Sequence, residues 1–339
     1  MKKTIALLLS LVLVLALASC GGGNNGSSKA SSEANSTAAS QTGSEAETEN
    51  TAGGKHKIGI LAPAVTHGWV AAVAYNAEAR CKELADEVDY KIYTSNNADE
   101  MTTQLDDLKT WGAEAIVAFP QWEGMEVPIQ SAIDSGIKVI NFDIEINADG
   151  VYRVSGDNED IGVQSAKYVV DKIGTTGKVV ILDVPSSGSV AQLRKKGFLD
   201  TVKEIAPDLE IEEYATKFTR EDGLKDFADI LTKNDHIDAV YSMDDETSIG
   251  VLQAIKEAGR TDIKAITGAG GAQEYFKMMP EYEDINVCSA LYSPAMVQDA
   301  VDMALDILNG KEVEQVKIIP TTIVDKSNYE EFLNPDSPY

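Results

Sequence analysis

The chain has 339 residues, 55 acidic against 29 basic side chains and a formal net charge of −26. That length exceeds what one hydrophobic core usually serves, and the charge argues against nucleic acid or an anionic membrane surface as partner, because both repel a polyanion. Solubility accounts for the acidic excess, and the three cysteines form no Cys-x-x-Cys pair or Cys/His cluster.

Met1 to Cys20 is organised as an export signal: Lys2 and Lys3 make a charged start, Thr4 to Leu17 an apolar run, and Leu17-Ala18-Ser19-Cys20 a small-residue cleavage site. The run is too short to span a bilayer. Its end resembles a bacterial lipobox, in which the cysteine thiol is lipidated and becomes the new amino terminus, so Cys20 is expected to be a lipid anchor; an ordinary signal peptide cut nearby is the alternative. Residues 21–54 are Gly, Ser, Asn, Thr and Glu with almost no large apolar side chain, a composition that cannot offset ordering entropy and predicts a disordered tether.

From Lys57 the pattern alternates: strand Lys57 to Ala62, helix Trp69 to Ala85, strand Tyr90 to Thr94, helix Met101 to Trp111 closed by Gly112, strand Ala115 to Phe119, helix Val127 to Ser135, and a buried strand Ile137 to Phe142. After Asp157-Asn158, a helix cap, the order begins again: helix Ile161 to Ile173, strand Lys178 to Leu182, helix Val190 to Ile205, strand Glu210 to Ala215, and a helix opening at Thr219 with Asp222 at capping-box spacing. Then come strand Asp238 to Ser242, helix Ser248 to Ala258, strands Ile263 to Thr267 and Ile285 to Ala290, and a helix from Ser293-Pro294 to Gly310, expected to return to the first half. Alternation of this kind predicts α/β architecture with parallel sheets covered on both faces. The halves also repeat locally, AIVAFP and IQSAIDSGIKVINFD against AVYSMDD and LQAIKEAGRTDIKAITGAG. Two similar lobes, a clamp, follow. Cys81 falls on the stripe Val70, Val73, Ala77, Cys81, Leu84 and is read as a buried thiol.

Chemistry-bearing motifs are sparse: no Gly-x-Ser-x-Gly elbow, no Walker loop, no His-Glu-x-x-His, and three histidines. No enzyme, cofactor or metal is expected; the carboxylates Asp143, Glu145, Asp157, Asp244 and Asp245 lack the spacing of a calcium loop. Gly268 to Gly271, GAGG, follows a strand without the full dinucleotide fingerprint, so it marks close backbone approach to a ligand or simply a turn. Ligands in open parallel sheets bind outside the carboxyl ends of the strands. There the sequence sets planar polar groups beside aromatics: His67 and Trp69, Gln121 and Trp122, Asp143, Arg194, Phe218, Asp244 and Asp245. Carboxylates accept and guanidiniums donate to the hydroxyls of a sugar or polyol, and indole faces suit its C–H face. Ordinary packing remains the alternative for Trp69 and Trp122, and turn capping for Asp143.

These stretches carry a resemblance. KIGILAPAVTHGW, SGDN, SVAQLRKKGF and AVYSMDDETSIGVLQAIKEAG are similar to the first strand and ligand loop, the crossover, the Arg-bearing helix start and the most recognisable segment of the ribose-type (type I) periplasmic sugar-binding proteins of ABC importers, over Lys57 to about Val324. The resemblance implies two doubly wound lobes joined by a hinge, residues 55–156 with 292–320 and 157–291 with 321–339. It implies sugar contacts at His67, Trp69, Asp143, Arg194, Phe218 and Asp244; Gln121, Trp122, Asp245 and Gly270 complete the expected ligand set. Three positions depart: Ile144, Gly270 and Leu291 stand where the family has an Arg, an Asp and a Gln, so ribose itself is expected to bind poorly. The expectation is a monomeric, lipid-anchored extracytoplasmic receptor that binds a monosaccharide or polyol and hands it to an ABC permease. Alternatives are a cationic ligand such as an amino sugar, and a sensor that feeds a signalling partner.

Overall fold

The computed structural model describes residues 54–64 and 68–339; the signal segment, Cys20, nearly all of the tether and His67 lie outside them. The first half runs β1 (His56–Pro63), α1 (Gly68–Glu83), β2 (Val88–Ser95), α2 (Ala98–Trp111), β3 (Ala115–Ala118), α3 (Glu126–Asp134), β4 (Lys138–Phe142) and β5 (Tyr152–Gly156). The second runs α4 (Asn158–Ile173), β6 (Thr176–Asp183), α5 (Ser189–Ile205), β7 (Asp208–Ala215), α6 (Arg220–Lys233), β8 (Ala239–Ser242), α7 (Asp245–Ala258), β9 (Ala265–Ala269), α8 (Gln273–Met278) and β10 (Asn286–Ala290). Helix α9 (Val297–Leu308) and strands β11 (Val316–Ile319) and β12 (Ile323–Asp325) follow.

Local chemistry sets the boundaries. Asn97, Asp157, Thr219 and Asp244 each lend a side-chain oxygen to an otherwise unpaired N–H in the first turn of α2, α4, α6 and α7. Gly112 closes α2 in a left-handed conformation, and Gly259 closes α7 in the same way. The strands β3, β8 and β9 are buried at every residue, as expected of parallel strands covered on both faces.

The sheets share one design. Their strand orders are β11-β5-β4-β3-β1-β2 and β12-β10-β9-β8-β6-β7. Pairing is parallel except for β12 on β10. In each half the chain steps outward once and then reverses, between β1 and β3 and between β6 and β8, which opens a crevice at the carboxyl ends of the strands. Helices α1 and α9 cover one face of the first sheet and α2 and α3 the other. Helices α4 and α5 cover one face of the second, with α6 to α8 opposite. Helix α9 therefore returns to the first lobe as expected, and Cys81 is fully buried in that lobe, its thiol pushed up to about 12 by burial.

Strands β5, β11 and β12 and helix α8 are not marked as elements by the sequence pattern. β11 is an edge strand with its first three residues exposed, so its sequence carries little apolar signal, and β12 has only three residues. The chain passes between the sheets three times: after β5, after β10, and between β11 and β12. These links lie side by side, tied by Asp157 N–H to Ile319 O at 2.9 Å, Leu291 N–H to Thr322 O at 2.8 Å, and Thr321 Oγ1 to Leu291 O at 3.0 Å.

Candidate functional site

Arg194 enters the site because α4 and α5 cross at two glycines. A Cβ at Gly162 would lie 2.0 Å from the Arg194 carbonyl oxygen and one at Gly197 2.1 Å from that of Glu159, so neither backbone admits a side chain between them. Arg194 is 5 % exposed. Nε donates to Asn158 Oδ1 at 2.8 Å and Nη1 to the Met243 carbonyl at 2.6 Å. Its Cζ lies 4.8 Å from the Tyr292 ring centroid and 5.9 Å from that of Phe218, cation–π contacts that add to its hydrogen bonds. A buried charge needs this degree of pairing.

Asp143 stands just past β4, as its strand-exit position predicts. It is the one non-glycine among the described residues with positive φ, +65°, a region that Asp tolerates better than most side chains. Its Oδ1 accepts a short hydrogen bond from the Tyr292 hydroxyl, which Asn158 Nδ2 also approaches at 3.3 Å. Asp143, Tyr292, Asn158 and Arg194 thus form one continuous polar chain across the links between the sheets. Burial raises the Asp143 pKa above the usual carboxylate range, against the opposing pull of the Tyr292 bond and the Arg194 and Arg153 charges.

Trp69 begins α1. Its indole N–H donates to the Tyr292 carbonyl at 2.7 Å, and its ring lies nearly parallel to Phe142 at 6.2 Å and edge-on to Phe119 at 5.9 Å. The indole both packs and borders the opening, so the two readings of Trp69 are compatible.

These groups converge on a cavity of about 360 Å³, within the range of small-molecule sites. Trp69, Gln121, Trp122, Asp143, Arg194, Phe218, Asp244 and Gly270 all line it, joined by Glu123, Glu126, Ile144, Glu145, Tyr292 and Tyr339. Both sheets contribute. Asp244 caps α7 through the Thr247 N–H at 3.0 Å, and burial pushes its carboxyl up to about 7, with that capping bond working against the shift.

Asp245 is placed elsewhere. Fully buried, its Oδ2 accepts from the N–H groups of Gly271 and Ala272 at 2.7 and 2.8 Å and from Ser289 Oγ at 2.9 Å. It braces the Gly268–Gly271 turn from behind and does not line the cavity. Gly270 in that turn has φ +140°, open to glycine and rarely to other residues. Of the departures from the family pattern, Ile144 and Gly270 reach the cavity, whereas Leu291 points at Gly271, where an added Cβ would meet its side chain at 2.8 Å. Asp157 caps α4, and Glu145 pairs with Arg153 at 3.0 Å.

Sequence reasoning missed two lining tyrosines. Tyr292 precedes the Ser293-Pro294 helix start without a signal of its own, and Tyr339 lies beyond the last periodic element.

Two α/β lobes with a polar, aromatic-bordered cavity between their strand ends define a two-lobed solute-binding protein. The periplasmic binding protein domain matches residues 58–312, and the chain belongs to that family, in the ribose-type branch it resembles; it is a binding protein and not an enzyme. It is 26 % identical over 215 residues to the D-allose-binding periplasmic protein of Escherichia coli, covering 60 % of this chain and 68 % of that one. With the xylitol-binding protein of Mycolicibacterium smegmatis it shares 30 % over 189 residues, 54 % of each chain. A solute-binding protein of an ABC transporter from Mycobacterium smegmatis, solved with bound glycerol, superposes with a TM-score of 0.74 at 25 % identity, over 84 % of this chain and 99 % of that one.

Proposed function

We propose that the protein closes its two lobes on a neutral monosaccharide or polyol and delivers it to the permease of an ABC importer. The observation that carries this reading is the make-up of the cavity: the buried carboxyls of Asp143 and Asp244 as acceptors, the buried guanidinium of Arg194 as donor, and indole and phenyl rings beside them. Hydroxyl groups are both donors and acceptors, and a polyhydroxylated ligand can satisfy both kinds of group at once while its C–H face meets an aromatic ring. Relatives named for D-allose and xylitol support the class.

The test is a thermal-shift panel of D-allose, D-ribose, D-xylose, xylitol and myo-inositol. A specific ligand at about a hundred times its Kd stabilises the folded state by about 2.7 kcal/mol, a readily measured rise in Tm. No shift with any member contradicts the reading. D-ribose should be a weak member, because Ile144 offers its hydroxyls no partner.

A cationic ligand is the second reading, favoured by the excess of lining carboxylates, Glu123, Glu126, Asp143, Glu145 and Asp244, over the single lining guanidinium. Glucosamine outcompeting its neutral parent sugar would select it.

Anchoring through Cys20 completes the proposal: the lipobox-like end and the polar stretch after it would hold the binding unit at the outer face of the membrane. One lipid chain binds only marginally, so multiple acylation of that cysteine is implied. Cys20→Ala should move the protein from the membrane to the soluble fraction, and a variant that stays membrane-bound contradicts the anchor.

A further inference from the structure

We infer that Tyr339 is a specificity-determining residue of the cavity, its hydroxyl serving the ligand in the space that a side chain at position 270 would fill. This rests on the sugar-binding reading above.

The geometry is specific. The segment leading to Tyr339 is strapped to α8: Gln273 Nε2 donates to the Phe332 carbonyl at 3.1 Å, and its Oε1 accepts from the Asn334 N–H at 2.6 Å. Tyr339 ends 8 % exposed and borders the cavity. Its ring lies between the lobes, for a Cβ at Gly68, at the start of α1, would meet the ring at 2.9 Å, and a Cβ at Gly270, at the end of β9, would lie 2.6 Å from the hydroxyl. A side chain at 270 would displace the Tyr339 hydroxyl from its present place. The resemblance implies an Asp at the position of Gly270, and the tyrosine hydroxyl occupies the space beside that position from a different part of the chain.

The hydroxyl has no hydrogen-bond partner among the described residues. Burial first, then the charges of Asp245, Asp244 and Glu246, hold its pKa well above the ordinary tyrosine value, so it remains a phenol able both to donate and to accept. A carboxylate in that place would only accept. The exchange therefore changes which hydroxyl orientation the site prefers, and with it the sugar.

Calorimetry on the full chain with D-allose, D-xylose, xylitol and myo-inositol tests this through two variants. Tyr339→Phe keeps the ring and removes the hydroxyl; Gly68→Ala presses the ring from a position that does not line the cavity. The hydroxyl's hydrogen bond predicts roughly tenfold weaker binding of the tightest panel member by Tyr339→Phe, with an altered order of preference. Gly68→Ala should shift the same affinities, and it is the arm to read if Tyr339→Phe does not fold. Wild-type affinities and order in both variants overturn the inference alone. A wild-type protein that binds no member of the panel sinks the sugar reading, and this inference with it.

Discussion

Asp143 combines two costs that an unconstrained chain would avoid: a left-handed backbone, worth roughly 1–3 kcal/mol outside glycine, and a buried carboxyl. Such costs persist where the surroundings impose them, here through the Tyr292 hydroxyl and the Arg153 guanidinium, which donates to the Asp143 carbonyl at 3.2 Å. Its strand-exit position was legible in sequence; its conformation was not, because its chief partner lies 149 residues away. Asp244 and Asp245 show the limit from the other side. They are adjacent and alike in sequence, yet one faces the cavity and the other braces a turn, since consecutive residues at the start of a helix point in different directions. Burial raises Asp244 to about 7 from 3.8, so the stability it contributes is complete below pH of about 4 and is lost as the pH rises to about 7. Asp244→Asn keeps the capping oxygen and removes the charge. Its stability relative to wild type should rise by up to about 4 kcal/mol between about pH 4 and pH 8 in denaturant titrations. A difference that stays flat or shrinks contradicts this picture of the site.

At the scale of elements, the α4–α5 crossing decides where Arg194 sits. Glycine inside a helix normally costs about 1 kcal/mol relative to alanine, so Gly162→Ala would stabilise an isolated α4. In the crossing the added methyl would stand 2.0 Å from a backbone oxygen that cannot swing aside. Overpacking of this kind costs about 1–3 kcal/mol, and a backbone obstacle puts the expected net loss near the upper end. Urea titration of Gly162→Ala should show a net destabilisation of about 2 kcal/mol, and equal or greater stability would mean the helices have room that the crossing denies. The helices themselves were legible from their caps and periodicity, as Thr219 with Asp222 illustrates. Their closest contact was not, because a helical glycine in sequence does not reveal what lies against it.

At the scale of the whole molecule, the repeated strand-helix order carried the two-lobed α/β architecture, and chemistry at strand ends carried much of the lining. The edge strands and Tyr339 escaped because they hold little apolar periodicity and join the fold through contacts distant in sequence. We propose the three links laced by Thr321, Leu291, Asp157 and Ile319 as the hinge for closure, since few residues there need change conformation to move whole lobes. Small-angle scattering should give a smaller radius of gyration with a saturating panel sugar than without, and an unchanged radius leaves closure unsupported.

We propose that a sugar or polyol is held in this cavity by Asp143. Calorimetric titration of wild type and Asp143→Asn tests it most directly, because Asn also tolerates the left-handed backbone and the substitution removes the charge with little change of shape. A panel member should bind the wild type and bind Asp143→Asn about tenfold more weakly, as expected for loss of a charge-assisted hydrogen bond. Equal affinity for both proteins would contradict it.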